Sequence, residues 1–199
     1  KEKLVNHLHY REDMPDAIPY VTSYYKEEWG FCISFNDFKT LAEGDYKVKI
    51  DTEFSEGSLT ISDCVLKGES DKEILISSYT CHPSMAINEL SGPLVLAFLY
   101  RRIKNFTQRK YTYRFVLLPE TIGSITYLSL NRDNFIEKLV GGYVIDRVGH
   151  PKSLRYQFSR RKTSITDMVV KEVLQDNNFT DQKVSFNEFE TGHSDERQY

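Results

Sequence analysis

From about residue 73 onward, the chain alternates strand-like and helix-like segments, and this alternation limits the fold more than any other feature. Residues 74–76 form a continuous apolar run, which is typical of a strand buried on both faces of a sheet, and the mostly apolar residues 113–119 predict a second buried strand. Helix-like segments follow them at 89–103 and 121–130. This order predicts an α/β fold, a three-layer sandwich with a mostly parallel sheet.

The sequence before this alternation has a different character. Residues 46–51 and 58–66 each alternate apolar and polar side chains, which predicts a β-hairpin. We therefore expect a small β-rich insertion at 28–70 and an α/β domain built from 1–27 and 71–199. Neither terminus carries a boundary signal, so we expect the α/β domain to be incomplete at both ends.

Charge and composition limit the classes of partner. The net charge is −3, and basic residues accumulate on no extended segment, which argues against nucleic-acid binding. No apolar run approaches the ~20 residues of a membrane-spanning helix. The three cysteines are far apart and show no metal-ligand spacing, as expected for reduced thiols in a cytoplasmic protein. The sequence leaves both a monomer and a homo-oligomer as options.

Polar side chains follow the predicted strands at four places: His82, Glu120, Asp146 and the run 193–196. Because the carboxyl ends of parallel strands meet at one edge of a sheet, these groups can converge there. Each also has a structural alternative; Glu120, for example, is a favourable charge at a helix start. Polar groups at four places along one edge of the sheet favour a ligand site over four separate structural roles. Cys81, by contrast, is expected to be a buried core cysteine and not a nucleophile.

Longer runs of sequence carry a family resemblance, and they lie at residues 16–25, 29–32, 81–93, 119–124 and 194–199. In these runs the chain resembles the aminopeptidase-like proteins of bacterial polysaccharide-biosynthesis clusters, which are related to the co-catalytic zinc aminopeptidases. The resemblance implies a zinc-aminopeptidase-like sheet. It also implies a hydrolase that cleaves an amide bond with a metal-activated water.

The resemblance assigns roles to three residues of this chain that match the zinc-aminopeptidase pattern. The first metal-binding histidine falls on His82, and a later metal-binding aspartate falls on Asp146. The general base falls on Glu120, which would take a proton from the metal-activated water.

Three other positions depart from that pattern. The metal-bridging aspartate falls on Asn88, a second ligand glutamate falls on Thr121, and the final histidine falls on Glu196. A neutral amide bridges two cations poorly, so we expect one zinc ion and not two. His82 and Asp146 would hold it, with a third ligand drawn from Asn88, Glu196 or His193.

Two functions are therefore expected from the sequence. The first is a metal-dependent, aminopeptidase-like hydrolase that acts on an amide bond of a small peptide or amino-sugar substrate. The alternative is a catalytically degenerate binding protein that uses the same cleft in surface-polysaccharide biosynthesis. Asn88 and Thr121 favour the alternative, because each replaces an ionised ligand with a neutral group.

Overall fold

The computed structural model describes residues 1–21, 27–53, 55–82, 85–176, 183–190 and 194–199, without the side chains of 175 and 176. The chain divides into two compact units, residues 1–56 and residues 57–199. Each unit is described by itself.

The first unit contains little regular structure. A 3₁₀ turn at Leu4–His7 leads into strand β1 (Leu8–His9), which pairs in parallel with β2 (Phe31–Cys32). Helix α1 (Phe35–Thr40) begins after Ser34, whose hydroxyl oxygen accepts the Asp37 amide hydrogen at 3.0 Å.

The second unit is built around a four-stranded sheet in the order β3-β5-β4-β6. Its strands are β3 (Ser62–Leu66), β4 (Glu73–Tyr79), β5 (Thr112–Leu118) and β6 (Leu139–Val144). The three strands β4, β5 and β6 are parallel, and β3 runs antiparallel to β5 at one edge. The predicted α/β class is confirmed at this level.

A second, two-stranded parallel sheet follows along the chain. It pairs β7 (Ser153–Gln157) with β8 (Lys183–Asn187), and helix α4 (Ile165–Asp176) lies between them in sequence. The Ser164 hydroxyl caps α4 by accepting the Asp167 amide hydrogen at 3.2 Å.

The predicted β-hairpin is wrong. Residues 46–51 contain no strand, and Ser62–Leu66 pairs with β5 of the main sheet instead. The alternating pattern of 58–66 describes a strand with two unlike faces, and such a pattern does not specify which strand lies beside it. The insertion at 28–70 stays a prediction.

Two helices cover opposite faces of the main sheet. Helix α2 (Ser91–Lys104) follows β4 and α3 (Ile122–Lys138) follows β5. Side chains of α2 pack with one set of strand residues in a core of Ile76, Leu96, Ile103 and Phe115. Side chains of α3 pack with the alternate set in a core of Leu75, Val116, Leu118, Tyr127 and Phe135. The connections that leave β4 and β5 therefore diverge to opposite faces. In open α/β sheets this divergence forms the ligand crevice at the carboxyl ends of the two strands.

The start of α2 lies tightly against the sheet. A Cβ atom on Gly92 would lie 2.3 Å from both the Ile145 carbonyl oxygen and the Ser78 hydroxyl oxygen, so only glycine fits there. A π-helical turn at Ala86–Leu90 leads into the helix. Among the described residues, no helix is long and apolar enough to cross a membrane.

Candidate active site at the carboxyl edge of the sheet

Tyr79, the last residue of β4, joins two of the predicted site residues. Its buried hydroxyl donates to Asp146 Oδ1 and lies 2.5 Å from Asn88 Oδ1. The Tyr79 hydroxyl carries one proton, so it can donate to only one of the two oxygens beside it. The Asn88 amide can rotate and donate an N–H to the Tyr79 oxygen instead. An asparagine therefore fits beside Asp146 without a cation, which a carboxylate would not. Burial, and then the hydrogen bond to Asp146, raise the pKa of Tyr79.

Arg147 supplies positive charge at the same end of the sheet. Its Nε atom donates to Asp146 Oδ2 at 2.7 Å. The residue has a φ of +46°, in the left-handed region that non-glycine residues seldom occupy. Both oxygens of Asp146 thus have partners.

Glu89 holds the loop that carries His82, and sequence reasoning missed it. The carboxylate is 5% exposed and accepts the Cys81 amide hydrogen at 2.5 Å through Oε2. Its other oxygen, Oε1, lies 2.6 Å from His82 Nδ1. A carboxylate on one ring nitrogen is the usual way to orient a metal-binding histidine. An acidic residue seven positions after His82 is a weak signal, because it also suits a helix start.

Cys81 is exposed, so the expectation of a buried core cysteine is wrong. Its sulfur lies 3.2 Å from His82 Nδ1, the same nitrogen that contacts Glu89. In a catalytic triad the nucleophile and the orienting carboxylate contact different ring nitrogens of the base, whereas Cys81 and Glu89 contact the same one. Partial burial of the sulfur, with added repulsion from Glu89 and Glu120, raises the pKa of the thiol to about 11. The thiol is therefore not an activated nucleophile, as predicted.

Glu120 is the first residue of a γ-turn that is centred on Thr121. Thr121 has φ 65° and ψ −68°, and the Ile122 amide donates to the Glu120 carbonyl oxygen at 2.8 Å. The fully buried Asp195 holds this turn, because its Oδ1 atom accepts the Thr121 amide hydrogen at 2.7 Å. Sequence reasoning included Asp195 in the run 193–196 but missed this role, since the segment has the composition of an exposed charged cluster.

Three potential metal ligands converge at this edge. Donor atoms of Cys81, His82 and Glu120 all lie within 4.8 Å of one another. Among the described residues, this is the only such group of three or more histidine, cysteine and acidic side chains.

The other predicted ligands lie in different surroundings. Asn88 and Asp146 meet at the Tyr79 hydroxyl. The Glu196 carboxylate accepts from Gln157 Nε2 at 3.4 Å. His193 lies outside the described residues. The structure thus brings Glu120 to His82 and Asn88 to Asp146, and the ligand roles stay predictions.

A family model described as a domain of unknown function, DUF4910, matches residues 13–199, nearly the whole chain. The chain belongs to the DUF4910 family.

Two similar proteins, both from Clostridium acetobutylicum, carry more informative names than this DUF4910 domain. One has the provisional name of polysaccharide biosynthesis protein with aminopeptidase-like domain, and is 40% identical over 173 residues. The other is a crystal structure of a protein provisionally called a peptidase, with a TM-score of 0.90 and 38% identity over 99% of this chain. The chain covers 39% of the first protein and 46% of the second, so it spans less than half of either.

Proposed function

We propose that the DUF4910 domain described here is an amide-bond hydrolase of the aminopeptidase-like type that works with one divalent metal ion, zinc. The observation that carries the proposal is the convergence of Cys81, His82 and Glu120 within 4.8 Å, in the crevice between β4 and β5. The finer fold that goes with it is a three-layer zinc-aminopeptidase architecture. The names of the two clostridial proteins, and the fold of the one with a crystal structure, support a peptidase-like origin.

The donor atoms fit zinc. The thiol sulfur of Cys81 and the imidazole nitrogen of His82 are ligand atoms that zinc uses in proteins, and the Glu120 carboxylate lies beside them as the proposed base. Glu89 contacts His82 Nδ1 at 2.6 Å, and a carboxylate contact of this kind fixes a ligand imidazole. Cys81 and His82 would hold the ion, with Asp146 as the further predicted ligand.

The bound ion would supply an acidified water and polarise the substrate carbonyl. Glu120 is the residue we assign to the proton: its carboxylate would take a proton from water and pass it to the leaving amine. Glu89 would keep the imidazole of His82 oriented. The Tyr79 hydroxyl, which donates to Asp146, would orient that carboxylate.

The substrate class follows from the same reasoning. An aminopeptidase-like site acts on an amide next to a free amino group, and the relative named for polysaccharide biosynthesis points to an amino sugar as the second option. The excess of acidic over basic side chains at this edge favours a cationic amine over an anionic substrate. We therefore propose a small peptide or an acylamino sugar as substrate.

A second function has its own supporting observation. Tyr79, Asn88 and Asp146 satisfy one another by hydrogen bonds, and the neutral Asn88 stands where related enzymes use a bridging carboxylate. A site satisfied in this way could bind an amine or a sugar without cleaving it. The proposal of a binding protein rests on that contact.

A panel of fluorogenic aminoacyl amides and N-acyl amino sugars separates the two functions. We expect slow hydrolysis that stops with a chelator, returns with zinc and is lost in Glu120→Gln. Glu137→Gln, at the exposed end of α3, is the matched control and should keep wild-type activity. Binding of a panel member in thermal-shift assays without any cleavage over a day would favour the binding protein. Cleavage that persists in both the chelator and Glu120→Gln would contradict the hydrolase mechanism.

A further inference from the structure

The γ-turn after β5 is a strained element at the edge of the proposed site. Thr121 is β-branched, and its φ of 65° places Cβ close to the backbone. Turns of this kind are rare, and a residue held in a sparsely populated conformation persists only where the surroundings fix it. Something in the structure must therefore hold Thr121.

Asp195 provides that constraint. Its carboxylate is 0% exposed, and its Oδ1 atom accepts the Thr121 amide hydrogen at 2.7 Å. Hydrogen bonds to a carboxylate are stronger than those between neutral groups. The Ser124 hydroxyl lies 2.9 Å from Asp195 Oδ1 and 2.9 Å from the Thr121 carbonyl oxygen, so it shares one proton between them.

The position of Glu120 depends on this turn. On one side, β5 fixes the chain, since the Leu118 carbonyl oxygen accepts the Thr80 amide hydrogen at 2.9 Å. On the other side, the Glu120 carbonyl oxygen accepts the Ile122 amide hydrogen, which closes the turn. With both neighbours fixed, the Glu120 side chain extends toward Cys81 and His82.

We infer that Asp195 is a positioning residue for Glu120 and acts through the γ-turn at Thr121. The catalytic role of Glu120 rests on the proposed function, whereas the fixing of the γ-turn by Asp195 does not. No ligand contact is assigned to Asp195 itself. Its second oxygen, Oδ2, is buried and has no hydrogen-bond partner among the described residues.

A purely structural role for Asp195 makes a different prediction. A carboxylate near the start of α3 also stabilises the helix through its dipole. In that case Asp195→Ala would have the same effect with threonine or with glycine at position 121. Thr121→Gly separates the roles, because glycine adopts a positive φ without steric cost and so needs no external constraint.

The structural arm compares wild type, Asp195→Ala, Asp195→Asn and the double variant Asp195→Ala/Thr121→Gly by crystallography and amide hydrogen exchange. We expect Asp195→Ala to open the turn, to move Glu120 away from His82 and to speed exchange of the Ile122 amide by at least about 10-fold. Asp195→Asn keeps an accepting oxygen and should keep the turn. The double variant should restore both the turn and the position of Glu120. An unchanged turn in Asp195→Ala, or no restoration by Thr121→Gly, would overturn the inference.

The functional arm uses the aminoacyl amide that wild type cleaves fastest. Misplacement of a catalytic group by about 1 Å costs about 100-fold in rate, so Asp195→Ala should lower kcat by roughly that factor with little change in KM. Thr121→Gly should recover most of it. A kcat that Thr121→Gly does not restore in the Asp195→Ala background would contradict the inference. If wild type cleaves no amide of the panel, the proposed function fails while the structural arm still decides the role of Asp195.

Discussion

The second unit contains two buried polar clusters, at opposite ends of strand β4, and they are built on opposite principles. At the amino end, Arg114 donates to Glu73 through Nε at 2.7 Å and to Asp63 through Nη1 at 2.7 Å. Tyr127 completes this amino-end network by donating to Asp63 at 2.5 Å. Each acid there has a cation or a hydroxyl as partner, and the pKa of Glu73 is lowered because the bonds to Arg114 outweigh its burial.

The carboxyl-end cluster is rich in acids and poor in cations. Glu89, Glu120 and Asp195 lie near one another, and burial, with repulsion from Glu120, raises the pKa of Asp195. Strained backbone occurs at Thr121 and Arg147, which both lie at this end. A cluster in which acids are paired with cations or hydroxyls stabilises the fold. A cluster with an excess of acids and a strained backbone is arranged for a ligand. The predictions below test that contrast.

The largest effect is expected at the amino end. Arg114→Met leaves the buried Glu73 carboxylate and the partly exposed Asp63 carboxylate without their cation, which should lower the free energy of unfolding by about 3–5 kcal/mol in urea titrations. Arg132→Met removes an exposed pair with Asp133 and should change it by less than about 1 kcal/mol. Zinc affinity should be the same in both variants. A loss of zinc binding in folded Arg114→Met would break the distinction between the clusters.

The next effect is expected at the carboxyl end. His82→Ala should weaken zinc binding by at least about 100-fold, equivalent to roughly 3 kcal/mol, because an imidazole ligand is lost. Competition with a chromogenic zinc chelator measures it. The control is His150→Ala, at an exposed loop histidine whose Nδ1 contacts the Ser153 hydroxyl at 2.9 Å. Equal affinity in His82→Ala and wild type would remove the proposed centre.

Asp167 extends the comparison to a buried carboxylate that is satisfied by hydrogen bonds alone. Burial raises its pKa, but bonds from Ser159, Ser164 and Tyr156 prevail and lower it to about 2. A lowered pKa in the folded state stabilises the fold above the unfolded value near 3.8, and the gain is lost as the pH falls toward 2. The gain amounts to about 2 kcal/mol. Unfolding titrations at pH 6 and pH 2.5 should show this loss in wild type and not in Asp167→Asn; parallel profiles would contradict it.

The smallest effect is expected at Asn88. Asn88→Asp replaces the amide beside Asp146 with a second acid and should cost about 1 kcal/mol in the absence of metal. Millimolar zinc should return that stability, because a cation then satisfies both carboxylates. Asn105→Asp, at the exposed end of α2, is the matched control without zinc dependence. Stabilisation by zinc that is identical in wild type and Asn88→Asp would show that Asn88 is remote from the ion.

The alternation of apolar strands and helices was enough to predict the parallel part of the sheet and the edge at which polar groups collect. His82, Glu120 and Asp146 each follow a strand of this sheet, so period and topology were enough to predict their place at this edge. The partner of β3 was not predictable, since its alternation is equally suited to a hairpin.

The residues whose roles sequence reasoning missed act through tertiary contacts. Glu89 and Asp195 are ordinary acids at helix-like positions, and only the folded chain brings them to His82 and Thr121. Cys81 was misjudged for a related reason: the apolar strand ends two residues earlier, at Tyr79, so the cysteine has already left the core. The pattern of side chains along a strand predicts burial only as far as the last residue that pairs with a neighbouring strand.

The most direct test of the account is anomalous diffraction at the zinc edge from crystals of the protein grown with zinc. One anomalous peak per chain is predicted in the crevice between β4 and β5, within bonding distance of Cys81 Sγ and a His82 ring nitrogen and beside Glu120. The peak should be absent from His82→Ala crystals treated in the same way. A chain without a peak in this crevice, or a peak that persists in His82→Ala, would contradict the proposed metal centre.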